Sequence, residues 1–272
     1  MSLRVIEWPE FLEDSPPGFC AAMAIGVFDG VHLGHQALIK RIVRCGPNPT
    51  IVTFRENPKK VLGRITGAGI SGPYKGDLYS LKHKTEIFDS MGVKFLVLID
   101  FSEEFSKLKG REFLDLLGDK GKMAFLAIGD NFRCGYAQDT DAELARKVNE
   151  EKGIPTELIP PVYSEAPGKK PVSSSLIRQA VLAGDFKLAS ELMGRNFSLD
   201  LSDVKPAYNE SGFAYDLGSV SRISPAAGRY SVLMFPGKIA GQVSTEFPSE
   251  ILIENGKIFL PMEAESLEFV NV

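Results

Sequence analysis

The chain has 272 residues, 44% of them hydrophobic and 24% charged, with a formal net charge of -4 and a sequence pI near 5.6. That length can bury a real core as one large or two modest domains, and the acidic balance argues against sequence-independent binding of long nucleic acid, which needs a basic surface. Cys20, Cys45 and Cys134 lie far apart and form no CxxC pair, so neither a zinc site nor a disulfide framework is expected.

The first residues, MSLRVIEWPEFLEDSPPG, lack the basic and apolar regions of a signal peptide. No apolar run approaches the roughly 18 residues of a membrane span. The expected compartment is the reducing cytoplasm, with no membrane partner.

Short apolar runs then alternate with amphipathic stretches. Strands are expected at Ala21–Val27, Thr50–Phe54, Lys94–Ile99 and Met123–Ile128, with a weaker one at Ile154–Ile159. Several are apolar almost throughout, as strands covered on both faces of a parallel sheet must be. Helical spacing falls between them, at Gly34–Arg44, Ser80–Met91, Arg111–Leu117 and Ala142–Lys152. This alternation predicts an α/β fold with a doubly wound parallel sheet of the Rossmann type. Gly63–Tyr79 is glycine-rich and aperiodic, and reads either as a loop near a ligand or as a tolerated insertion.

Two further helices are expected at Ser174–Ala183 and Asp185–Met193, each ended by a glycine. After Arg195 the pattern changes to short β-like runs, Arg229–Phe235, Glu250–Ile253 and Lys257–Leu260. Asn255-Gly256 predicts a type I′ hairpin turn between the last two. The expected division is therefore residues 1–184 for the α/β domain and 185–272 for a linker helix and a small β-barrel-like domain.

The most informative stretch runs from Ala24 to His35, AIGVFDGVHLGH, between a buried strand and a helix. A doubly wound fold places a nucleotide phosphate there, against the free N–H groups of the first helical turn. Gly26, Gly30 and Gly34 allow tight turns and close backbone approach, and His32 and His35 share one side of the helix start. Two readings stay open for the histidines. They donate to a phosphate chain and stabilise charge developing on it, or they cap the helix. A metal site is a poor match, since no HExxH pattern accompanies the pair.

GVFDGVHLGH closely resembles the GxFDGxHxGH motif of bacterial FAD synthetases, within the HxGH nucleotidyltransferase superfamily, and the likeness extends over most of residues 20–198. Thr53–Pro58, TFRENP, resembles the family's TFxPHP segment, with Glu56 and Asn57 in place of its Pro and His. Ile128–Gly135, IGDNFRCG, resembles VGxDFRFG, with Asn131 for Asp and Cys134 for Phe. Pro171–Arg178, PVSSSLIR, resembles xISSTxIR, with Ser175 for Thr. Lys84, Glu86 and Phe105 fall in a similar middle region and read as scaffold or surface residues, not as a site.

The resemblance implies transfer of AMP from ATP to FMN, giving FAD and pyrophosphate, with Mg2+ accompanying the triphosphate. It implies catalytic roles for His32, His35, Arg178 and Asn131. ATP would be bound by Gly26, Phe28, Asp29, Gly34, Ser173, Ser174 and Ser175, and the flavin by Phe54, Asn57, Pro58 and Phe132. No protein-bound metal is implied. Many members carry a riboflavin kinase barrel marked by a PTAN segment. Here Leu192–Leu199 resembles the linker before it, Ile223–Tyr230 faintly resembles the barrel's PPxGxY region, and no PTAN follows. A reduced, kinase-inactive barrel is the expectation. The alternatives are an HxGH nucleotidyltransferase for another small phosphate ester, and a non-catalytic flavin or nucleotide sensor.

Overall fold

The structure is a computed structural model that describes residues 2–13, 19–67, 76–165, 169–209, 212–219, 222–236, 238–239, 242–243 and 246–270. The chain divides into two compact units, Met1–Gly72 with Lys84–Val162, and Pro73–His83 with Tyr163–Val272.

In the first unit the sheet strands are β1 (Arg4–Glu7), β2 (Ala21–Ile25), β3 (Thr50–Phe54), β4 (Phe95–Ile99), β5 (Met123–Gly129) and β6 (Thr156–Ile159). They pair in parallel in the order β1-β4-β3-β2-β5-β6. All five residues of β2 are buried, which is why its sequence shows no polar alternation. From β2 the chain winds outward through β3 to β4, and later returns to the other side of β2 through β5 and β6. The order therefore reverses at β2, and the crevice beyond its carboxyl end is the topological switch point where α/β sheets bind ligands.

The helices are α1 (Trp8–Glu13), α2 (Leu33–Cys45), α3 (Pro58–Ile65), α4 (Leu81–Ser90), α5 (Glu103–Ser106), α6 (Gly110–Asp119), α7 (Ala142–Glu150), α8 (Ser174–Leu182) and α9 (Phe186–Met193). Several features differ from the sequence reading. β1 and α1 went unforeseen; Trp8 seats α1 by stacking on Phe11 and meeting Phe105 and Phe113, at centroid distances of 5.8, 6.0 and 5.8 Å. TFRENP runs into a helix that was not foreseen. Asn57 caps α3 by accepting from the Lys59 N–H, and Pro58 takes the first helical position, where its missing N–H costs nothing. The aperiodic stretch thus begins inside α3, since Gly63–Ile65 are helical, and its residues 68–75 lie outside the described set.

The second unit holds α8, α9 and the strands β7 (Ser198–Asp200), β8 (Ala207–Asn209), β9 (Gly212–Asp216), β10 (Gly228–Phe235), β11 (Phe247–Glu254), β12 (Lys257–Leu260) and β13 (Ser266–Phe269). They form a curled antiparallel sheet in the order β8-β9-β12-β11-β10-β13-β7. The predicted turn is present, with Asn255 and Gly256 both left-handed at φ 51 and 74. Phe186 of α9 stacks on Phe269 of β13 at 4.1 Å and meets Tyr230 of β10 at 5.1 Å, so the helix docks on the sheet through aromatic rings. Among the described residues no helix is long and apolar enough to cross a membrane.

Candidate active site

The loop after β2 is tightly held. Its Gly26 N–H donates to the Val52 carbonyl of β3 at 3.2 Å, and the Val31 N–H closes a turn on the Phe28 carbonyl at 3.2 Å. Phe28, Gly30 and Val31 all take left-handed φ values, 52, 78 and 39. The region is open to glycine but costs an L residue about 1–2 kcal/mol, and is a clear outlier for β-branched valine. Burial offsets the cost. Phe28 and Val31 have no exposed surface, and the Phe28 ring packs edge-on against Phe88 at 5.7 Å. Burying a phenylalanine side chain contributes about 2–3 kcal/mol. Backbone strain is thus concentrated in one short loop at the switch point.

His32 ends the loop as the N-cap of α2, and its Nδ1 accepts the His35 N–H at 3.4 Å. The capping reading therefore holds as geometry. The His35 ring stacks on His32 at a centroid distance of 3.6 Å and lies 5.2 Å from Phe28. Asp29 and His32 are buried. The first turn of α2 contains no acidic residue, so nothing there opposes an anion at the positive end of the helix dipole.

Phe54 leaves the end of β3 and packs on Phe101 and Phe105 at 5.7 and 6.0 Å. Asn57 is buried and engaged as a cap. Arg55 binds Asp100 at 2.8 Å and Glu7 at 2.5 Å, the Glu7 contact contributing most to raising its pKa. Burial does little here, and the exposed pairs hold the segment's shape more than its stability.

Asn131 follows β5 on an exposed turn, closed by the Phe132 N–H donating to the Gly129 carbonyl at 3.0 Å. Phe132 packs partly buried against the core of this unit. Burial, with a smaller effect from Asp139, pushes the Cys134 thiol up to about 12, so it is a packing residue and not a nucleophile. Gly135 has φ 83, and a Cβ there would overlap Asp139 Oδ1 and the Gly110 amide nitrogen. Gly135→Ala is expected to destabilise the chain by at least ~2 kcal/mol. Urea unfolding measures this, and an unchanged midpoint would contradict the packing.

In the second unit Ser173 caps α8, accepting from the Leu176 N–H at 3.3 Å, while Ser174 is half-buried and Ser175 exposed. Arg178 is not a solvated surface residue. It is buried, and its Nε donates to the Gly76 carbonyl at 2.8 Å. Gly76, at φ 116, lies so close to the Arg222–Ile223 backbone that a side chain would not fit. Lys84 is also buried, so of its two expected settings, scaffold and surface, only the first applies. Its Nζ is 3.5 Å from the Val27 carbonyl of the glycine loop. Glu86 is exposed and Phe105 half-buried. Sequence reasoning passed over Lys84 because its helix carries three successive basic side chains, Lys82, His83 and Lys84.

A strained glycine loop at the switch point of a Rossmann-like sheet, ending in two stacked histidines on a helix start, defines a domain of the HxGH nucleotidyltransferase fold. The sequence model of the FAD synthetase family matches residues 19–176, more than half of the chain. The chain belongs to the FAD synthetase family. It is 30% identical over 185 residues to the bifunctional riboflavin kinase/FMN adenylyltransferase of Buchnera aphidicola (subsp. Schizaphis graminum), a match covering 66% of this chain and 56% of that one. With the protein of the same name from Escherichia coli K12 it shares 27% over 238 residues, 85% of this chain and 72% of the other. The match thus spans little more than half of the Buchnera relative. A crystal structure named as a macrolide-efflux protein from Streptococcus pneumoniae aligns with a TM-score of 0.75 and 20% identity, covering 97% of this chain and 88% of its own, and that likeness concerns the fold alone.

Proposed function

We propose that the protein is an FMN adenylyltransferase, joining the AMP part of ATP to FMN with release of pyrophosphate. The observation that carries this reading is the His32 geometry: a buried imidazole at a helix N-terminus, its Nδ1 accepting the His35 N–H and its ring stacked on that of His35. Imidazoles at a helix start suit charge that builds on phosphate oxygens during transfer, where the protein chiefly positions reactants and neutralises charge. The FMN phosphate attacks the α-phosphorus in line; its new P–O bond forms as the bond to pyrophosphate breaks. Magnesium is part of the MgATP substrate and is held mainly by phosphate oxygens. No covalent enzyme intermediate is required.

Adenylyl transfer is assigned to residues 1–184, and residues 185–272 to a linker helix and small β domain without riboflavin kinase activity. The missing PTAN supports the second assignment. On this reading Phe54, Asn57, Pro58 and Phe132 serve the flavin, and Asn131 the nucleotide or its magnesium.

One assay tests both statements. The purified chain is incubated with MgATP and either FMN or riboflavin, and the flavins are separated chromatographically. FAD from FMN, with no FMN or FAD from riboflavin, is the expected result. FMN formed from riboflavin would overturn the kinase assignment. No FAD from FMN would favour another phosphate ester or a sensor.

A further inference from the structure

Val27 holds the first carbonyl beyond Gly26, where the chain leaves the sheet for the histidine-bearing loop. Two side chains donate to it: the Thr53 hydroxyl of β3 at 3.3 Å and Lys84 Nζ of α4 at 3.5 Å. Thr53 has no exposed surface, and Lys84 retains 7%. Two side chains from different elements held on one main-chain carbonyl of this loop need a reason.

Peptide planarity supplies one. In a trans peptide the N–H points opposite to the C=O. Fixing the Val27 carbonyl on Thr53 and Lys84 turns the Phe28 N–H to the other side of the loop, away from both donors. The left-handed residues Phe28, Gly30 and Val31 follow at once, and strained backbone of this kind persists only where the surroundings over-determine it. The Val27 carbonyl is where that constraint enters the loop.

We propose that Lys84 is a positioning residue for the ATP phosphates. It clamps the Val27 carbonyl so that the Phe28 N–H and the loop behind it present their donors outward. The inference rests on reading this loop as the ATP site, and concerns a residue that no family motif quoted above includes.

The test uses the full chain with Lys84→Met, which removes the charge and keeps most of the stem, Lys84→Arg, which keeps the charge, and Thr53→Val, which removes the other donor. KM for ATP and for FMN are measured separately, alongside Tm. Lys84→Met is expected to raise KM for ATP about tenfold, as for a lost charged hydrogen bond, with KM for FMN within about twofold. Thr53→Val moves KM for ATP in the same direction by less, and the double variant falls short of the product of the two, because both act through one carbonyl. Lys84→Arg recovers part of the loss.

A merely structural lysine would lower Tm and leave KM for ATP unchanged, or raise both KM values together; either outcome overturns the proposal. If Lys84→Met does not fold, Thr53→Val and Lys84→Arg decide in the same way. If the wild-type chain makes no FAD, calorimetric titration with a non-hydrolysable ATP analogue replaces the assay. Weaker binding in Lys84→Met then upholds the clamp although the acceptor assignment has failed, and unchanged binding sinks it.

Discussion

Replacing His32 by alanine is expected to lower FAD formation from FMN and MgATP about 100-fold or more, the size typical of a lost charge-stabilising donor, while the chain still folds. Two functions of this side chain have to be separated. Its Nδ1 caps α2 by accepting the His35 N–H, and its imidazole is assigned to the phosphates. Losing a cap costs about 1 kcal/mol, or roughly 2–4 °C in Tm for a protein of this size. That is too little to empty the folded state and cannot produce a 100-fold loss of turnover. His32→Asn divides the two roles: asparagine is a good cap but places no imidazole donor at that point. Its Tm should approach the wild type while turnover stays as low as in the alanine variant. Turnover restored by asparagine would reduce His32 to a cap and remove it from the mechanism.

The loop that carries His32 was legible because several local signals coincide there. β2 is an unbroken apolar run, the glycines follow it immediately, and two of the chain's three histidines fall in the same window. The Asn255-Gly256 hairpin was legible for the same reason, since both residues tolerate the positive φ that its turn demands. Helix α3 was signalled less clearly. Asn57-Pro58 fits a helix start and a turn equally well, and none of the helix's side chains is buried to settle the matter by pattern. Strand order, and with it the switch point, depends on pairings between distant segments that no local window contains.

Burial of charge was the least legible feature. Lys82 and Lys84 are two residues apart on α4, yet Lys82 pairs on the surface with Glu265 while Lys84 is enclosed. Composition and motif spacing treat them alike, and only packing separates them. The bridge between Asp77 and Arg222 is similar in kind: the two are brought side by side by backbone pairing across a long stretch of sequence. The Ile223 N–H donates to the Asp77 carbonyl at 2.9 Å and holds the Gly76–Tyr79 segment in place.

That segment bears on Arg178, whose substitution is expected to be the second large effect. Arg178 donates through Nε to the Gly76 carbonyl at 2.8 Å, so it has a structural role before any contact with ATP. Arg178→Ala should therefore destabilise the chain by about 1–3 kcal/mol, the cost of leaving a buried hydrogen-bonding group without its partner. If this anchor were its whole contribution, activity per folded molecule would return at temperatures well below the variant's Tm. The proposed catalytic role makes a different demand: a guanidinium fork that also meets phosphate oxygens, a geometry lysine does not reproduce. On that reading kcat/KM for ATP falls about 100-fold even where circular dichroism shows the variant fully folded, and Arg178→Lys recovers little of it. Recovery of kcat/KM in the cold would assign Arg178 to the scaffold and leave the charge stabilisation to the histidines.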